Sequence, residues 1–170
     1  MIHNISLHPI SEFPELAKIP LQWSIDLWGE GKPEFSAEDW KIFYSKALQG
    51  NYESWDLNGL DQELIYLAIK EEQVMGAIAL CDFDDLEEFQ HLKPWIAAFI
   101  VDPNLRGSGV GSEILELMEE KVLSFGIESI YLWSENQDSF YANRGYNSID
   151  RLEKPGSPNR VIVIFQKALG

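Results

Sequence analysis

The chain has 170 residues, of which 45% are hydrophobic, and a formal net charge of −15. That length suits one domain over residues 1–170, burying about 70% of the unfolded surface, and excludes wholesale disorder. The charge argues against nucleic acid or an anionic membrane as a partner, and the lone Cys81 excludes an internal disulfide framework.

The N-terminus, Met1-Ile2-His3-Asn4, has no basic leader, and no run approaches the roughly 18 apolar residues of a membrane helix. A cytoplasmic protein is expected. Ile2 to Leu7 reads as a first strand. Ser11 to Trp28 reads as a helix on the spacing of Phe13, Leu16, Ile19, Trp23 and Leu27, with Pro20 expected to kink or split it. Ser36-Ala37-Glu38-Asp39 is an N-cap signal for a second helix through Trp40, Phe43, Tyr44, Ala47 and Leu48 that stops at Gly50. Residues 51–61 read as a polar loop. Glu63 to Lys70 and Val74 to Cys81 flank Glu71-Glu72-Gln73 and predict an antiparallel hairpin. Cys81 is expected to be a buried small residue. Asp82 to Glu88 carries five acids and no base, either a solvated loop or an electronegative lip for a cationic acceptor.

Trp95 to Val101 is uncharged and ends in β-branched and aromatic residues, which predicts a central strand covered on both faces. Asp102-Pro103 stops it. A helix over Gly109 to Phe125 follows, with Val110, Ile114, Leu117, Met118, Val122 and Phe125 as its buried stripe and Gly126 as its end. Ile127 to Trp133 is then a strand parallel to the central one, because a strand–helix–strand crossover returns in the same direction. A short helix lies within Ser134 to Asn143. Tyr146 to Leu152 and Val161 to Lys167 read as the last two strands, joined by a loop over 153–159. Residues 1–100 hold 18 acidic against 6 basic residues, whereas 101–170 hold 10 against 7. The segment around the central turn is therefore the less acidic one, as a polyanionic ligand requires.

That turn is the most informative stretch. Gly107, Gly109 and Gly111 alternate just ahead of a helix, where tight bends and free amides favour a phosphate, and Arg106 adds a permanent cation. The triphosphate P-loop fits poorly, since Gly111-Ser112-Glu113 has no lysine, and the dinucleotide fingerprint places Ser112 where its third glycine belongs. Arg106-Gly107-Ser108-Gly109-Val110-Gly111 does match Q/R-x-x-G-x-G/A, and Phe140-Tyr141-Ala142-Asn143-Arg144-Gly145-Tyr146 resembles F-Y-x-x-x-G-F/Y. Together they resemble the GNAT superfamily of acyl-CoA-dependent N-acyltransferases. Trp23 to Gly29, with Pro94 to Ala97, is similar to a bacterial subgroup of unassigned substrate.

The resemblance implies an α/β (α+β) GNAT fold: a mixed, mostly antiparallel seven-stranded sheet with a central parallel splayed pair, flanked by helices. It implies acetyl-CoA as cosubstrate. Backbones of Phe99, Ile100 and Val101 would pair with pantetheine, and Gly107, Ser108, Gly109, Val110 and Gly111 would hold the pyrophosphate, assisted by Arg106 and Ser112. Tyr141 matches the tyrosine placed to protonate the leaving thiolate, and a phenol with reference pKa near 10 suits that task. Asn136 is expected to cap the short helix or contact the cofactor. The position of the glutamate base in histone-acetylating members falls on Trp95, so the base remains open among Glu135, Asp82, Asp84, His91 and water. The implied reaction is direct acetyl transfer to a small-molecule or peptide amine, expected to be cationic; Cys81 lacks an activating neighbour for an acyl-enzyme route. A non-catalytic acyl-CoA sensor or interaction module is the alternative, and a Rossmann-type nucleotide binder a third. Monomer and homodimer are both open. Trp23, Trp28 and Trp40, on the two N-terminal helices, are expected core anchors bordering the acceptor site.

Overall fold

A computed structural model describes residues 4–29, 35–83, 86–154 and 157–170. Seven strands form one sheet: β1 (Ser6–Pro9), β2 (Glu63–Lys70), β3 (Gln73–Cys81), β4 (Trp95–Val101), β5 (Ser129–Ser134), β6 (Asn147–Lys154) and β7 (Ser157–Ala168), in the order β1-β2-β3-β4-β5-β7-β6. All neighbours are antiparallel except β4 and β5, which run parallel. The helices are α1 (Pro14–Ser24), α2 (Ala37–Ala47), α3 (Val110–Ser124) and α4 (Asp138–Ala142). The mixed sheet with its parallel centre is the expected architecture.

Alternation along β2 and β3 sorts the core into two layers. Leu64, Tyr66 and Ala68 of β2 and Ile78 and Leu80 of β3 pack on Ile114, Leu115, Met118 and Val122 of α3. Ile65, Leu67 and Ile69, with Ala77, Ala79 and Cys81, face Ala17 of α1 and Trp40, Tyr44 and Ala47 of α2. Cys81 is buried as expected. A third cluster joins Leu86, Trp95, Ile162 and Ile164, with Phe89, Leu92, Tyr131 and Trp133 partly buried against it. The connection between β3 and β4 thus covers the sheet beyond the reach of α1 and α2. Trp40 is the buried anchor of the N-terminal aromatic group and stacks on Trp28 and Phe35, with centroids 5.5 and 4.9 Å away; Trp23 and Trp28 are only partly buried.

Several elements depart from the sequence reading. β1 starts at Ser6; residues 2 and 3 of the expected strand lie outside the described residues. The helix expected over 11–28 is a 3₁₀ turn (Ile10–Glu12), then α1, then a π turn over Ile25–Gly29. α1 runs through Pro20 to Ser24, where the Ser24 hydroxyl donates to Pro20 O at 2.8 Å. The irregularity appears a turn later, as wide i→i+5 winding rather than a break. The α2 cap forms as predicted, with Ser36 Oγ accepting from Asp39 N and Asp39 accepting from Ser36 N. Leu115 joins the buried stripe of α3, while Leu117 and Phe125 are only partly buried. The last two strands extend to Lys154 and from Ser157, into the stretch read as a loop.

Candidate active site

β4 and β5 touch in register at one pair, Trp95↔Tyr131, supported by Tyr131 N donating to Pro94 O at 3.1 Å. Beyond that pair the two parallel strands have no ladder among the described residues. The β5-facing edge of β4 is therefore open at Phe99, Ile100 and Val101, the last three residues of the strand. A bulge precedes them. Ala77 opposes Ile100 and Ala79 opposes Ala97, so β4 carries one extra residue, and Ala98 adopts φ 48° to absorb it. Gly76 makes this possible, since a Cβ there would lie 2.6 Å from Ile100 O and 2.8 Å from Ile114 Cδ1.

The chain leaves β4 through a 3₁₀ turn (Pro103–Leu105), where Asp102 accepts from Asn104 N at 2.9 Å, and reaches the exposed Arg106. Gly107 (φ 80°) and Gly109 (φ 88°) are left-handed, a conformation that costs a residue with a Cβ about 1–2 kcal/mol. Ser108 Oγ donates to Leu105 O, holding the turn. Gly109 is the N-cap of α3, and no side chain caps the helix. Glu113 N is the first amide to donate into the helix, to Gly109 O at 3.3 Å. The amides of the first turn, Val110 to Ser112, thus face outward at the positive end of a 15-residue helix, an arrangement suited to phosphate. A Cβ on Gly111 would project to within 3.5–3.8 Å of Val101 Cγ2, Phe99 Cζ and Phe140 Cζ. Glycine keeps that space between β4 and α4 clear, beside the open edge. These residues fit the phosphates and pantetheine of coenzyme A.

Arg144, to which the sequence pattern gives no role, belongs to the same place. Its Nε donates to Ser112 Oγ at 2.9 Å and its Nη1 to Phe140 O at 2.8 Å, and the guanidinium lies 3.8 Å from the Phe140 ring centroid. It ties the first turn of α3 to α4. The available signal was a cation inside the Phe140–Tyr146 segment. A second tie lies deeper: Tyr146 donates to Glu119 Oε2 at 2.8 Å, and Lys167 Nζ donates to Glu119 Oε1 and Arg144 O, each at 2.8 Å.

Between these ties, Tyr141 packs among Phe140, Tyr146 and Phe165, with ring centroids 5.1–5.9 Å away. Its hydroxyl has no hydrogen-bond partner among the described residues, and burial pushes its pKa up to about 12. The phenol therefore stays protonated at neutral pH. Asn136 is exposed and does not cap α4; the N-cap is Gln137, whose own amide is taken by Ser134 Oγ at 2.9 Å. The capping expectation fails because the helix starts one residue later, which leaves the Asn136 amide at the mouth of β5.

The base candidates are dispersed. Glu135 accepts from Arg160 Nε at 2.7 Å and Nη2 at 2.8 Å, and Lys154 Nζ lies 3.4 Å from it. Partial burial pushes its carboxyl up, but the Arg160 hydrogen bonds and the charges of Lys154 and Arg160 outweigh this and hold it below the ordinary glutamate value. That works against a base role. Asp82 is buried and accepts from Gln62 N at 2.6 Å and Nε2 at 3.0 Å, so its oxygens anchor the start of β2. Burial raises its pKa against those hydrogen bonds. His91 sits in an exposed turn, and Asp84 lies outside the described residues. Trp95 is fully buried and donates from Nε1 to Leu92 O at 2.7 Å.

Residues 30–146 match the model of the acetyltransferase (GNAT) family. The chain belongs to this family. Among solved GNAT structures, a family protein of Desulfovibrio desulfuricans is similar over 98% of this chain and 99% of that one, with TM-score 0.72 at 14% identity. An aminoglycoside 6'-N-acetyltransferase complexed with coenzyme A is similar over 99% of this chain and 97% of its own, with TM-score 0.69 at 16% identity. An amino-acid acetyltransferase of Pseudomonas syringae pv. syringae is 25% identical over 118 residues, covering 65% of this chain. The match spans only 26% of that relative's length. No helix among the described residues is long and apolar enough to cross a membrane.

Proposed function

We propose that this protein transfers an acetyl group from acetyl-CoA directly to an amine acceptor, with Tyr141 as general acid. The observation that carries the reading is the coincidence of three features at one place: the open edge of β4, the uncapped glycine start of α3, and a half-buried, protonated tyrosine on α4, which Arg144 ties to the first turn of α3. Bound acetyl-CoA supplies the thioester carbon that the amine attacks. The amides from Gly107 to Ser112, with Arg106, hold its phosphates; Arg144 orients Ser112 beside them. Phe99, Ile100 and Val101 present their backbone to the pantetheine arm, and Asn136 contacts it from the mouth of β5. Tyr141 keeps its proton until charge develops on the leaving sulfur, then delivers it there. Water reached through the splay accepts the proton of the amine, since Glu135 is held as a carboxylate by two cations and has little tendency to take one up.

Relatives named for aminoglycosides and for amino acids share amine acceptors, and an amine is the class carried to this chain. The test is acetyl-CoA turnover followed by free-thiol detection against a set of small amines and basic peptides, with coenzyme A binding measured by calorimetry. Acceptor-dependent thiol release is expected. Coenzyme A binding with no release from any acceptor would favour the sensor, and no binding would overturn the reading.

A further inference from the structure

The mouth of β5 carries an arrangement that the transfer step itself does not use. Tyr131 and Trp133 of β5 point into the same cluster as Trp95, Ile162 and Ile164, on the sheet face opposite α3. Side chains two residues apart share a face. Glu135 continues that row past the end of β5, and Arg160 continues the row of Ile162 and Ile164 on β7; the bidentate Arg160–Glu135 contact joins them. Lys154 completes the group, its Nζ 3.4 Å from Glu135 Oε1 and 5.7 Å from the centroid of the Trp133 ring. This is the C-terminal end of β5, past the single pair that joins it to β4, on the sheet face opposite α3.

Two cations meet one carboxylate there, in a chain whose acidic residues outnumber its basic ones by 28 to 13. One cation would suffice to pin the last hairpin to β5. With two, the group keeps a net positive charge over an aromatic floor. Arg160 spends Nε and Nη2 on Glu135, its Nη1 has no partner among the described residues, and its side chain is 41% exposed. Guanidinium and ammonium side by side match a planar carboxylate, with charge-assisted hydrogen bonds from both. By contrast, of the acids expected to attract a cationic acceptor, Asp82 is committed to Gln62, while Glu87 and Glu88 sit on an exposed turn.

We propose that Arg160 and Lys154 bind a carboxylate of the acceptor, so that the acetylated amine belongs to an amino acid or another carboxylate-bearing amine. Glu135 then acts as a positioning residue that holds the two cations at the mouth. This inference rests on the acetyl-transfer reading and replaces the expectation of a purely cationic acceptor such as a polyamine.

The test compares glycine, alanine, glutamate and phenylalanine with their carboxamides, and with spermidine, in thiol release and in calorimetry on coenzyme A-saturated protein. Each free amino acid that serves should show a KM about tenfold or more below its carboxamide. Arg160→Gln should raise that KM about tenfold, leave the carboxamide KM alone and leave coenzyme A affinity unchanged, which also reports that the variant is folded. Lys154→Gln should act in the same direction. Equal KM values for acid and amide, a preference for spermidine, or an Arg160→Gln effect shared by both partners would overturn the inference while leaving acetyl transfer intact. So would coenzyme A-loaded protein that binds none of the four amino acids. Failure to bind coenzyme A would instead remove the reading beneath it.

Discussion

β3 and β6 lie in the same sheet and have opposite surroundings. β3 is buried from Val74 to Cys81, sandwiched between α3 on one face and α1 and α2 on the other. β6, at the far edge, is exposed over its first five residues and carries Asp150, Arg151, Glu153 and Lys154. The doubly covered half supplies the frame. The thinly covered half tolerates charge, and charged side chains at the mouth of β5 are drawn from it. The proposed transfer site lies at the seam between the two, where β4 and β5 separate.

The contrast can be broken by substitution. Leu67→Ala removes a fully buried side chain from the doubly covered half and should cost about 2–5 kcal/mol in chemical denaturation, with coenzyme A affinity kept in the folded fraction. Gly109→Ala sits on the seam. It should cost about 1–2 kcal/mol for its left-handed backbone and also weaken coenzyme A binding, because the amides that hold phosphate shift; binding that survives intact would place the phosphates elsewhere. Ser36→Ala breaks the α2 capping box and should cost about 1 kcal/mol, with no change in coenzyme A affinity. Ile149→Ser, on exposed β6, should stay within about 0.5 kcal/mol. A larger loss there would mean that β6 is covered in solution.

What was legible in the sequence follows locality. The boundaries of β2 and β4 are legible because each is a continuous apolar run, and the α2 cap is legible because Ser36 and Asp39 lie three residues apart. The left-handed glycines at 107 and 109 were legible for the same reason. Most of what the sequence hides comes from packing and pairing rather than from local pattern. Glu135 reads as a candidate base because Arg160, which holds it, lies 25 residues away and is brought to it only by the pairing of β5 with β7. Arg144 meets Ser112 across 32 residues. The 153–159 stretch, rich in proline and glycine, read as a loop, yet pairing with its neighbour draws both strands into it. Pro20 reads as a kink or split in the helix, but α1 continues through it with Pro20 and Ser24 buried, and tertiary packing overrides the propensity.

The most direct test of the account is Tyr141→Phe, measured for turnover and for coenzyme A binding on the same preparation. Turnover should fall about 100-fold, as expected for loss of a general acid, with the dissociation constant of coenzyme A nearly unchanged. With its pKa raised to about 12, Tyr141 remains protonated well past neutrality, so the wild-type turnover should show no loss from this group up to pH 10. Undiminished turnover in Tyr141→Phe would contradict the account.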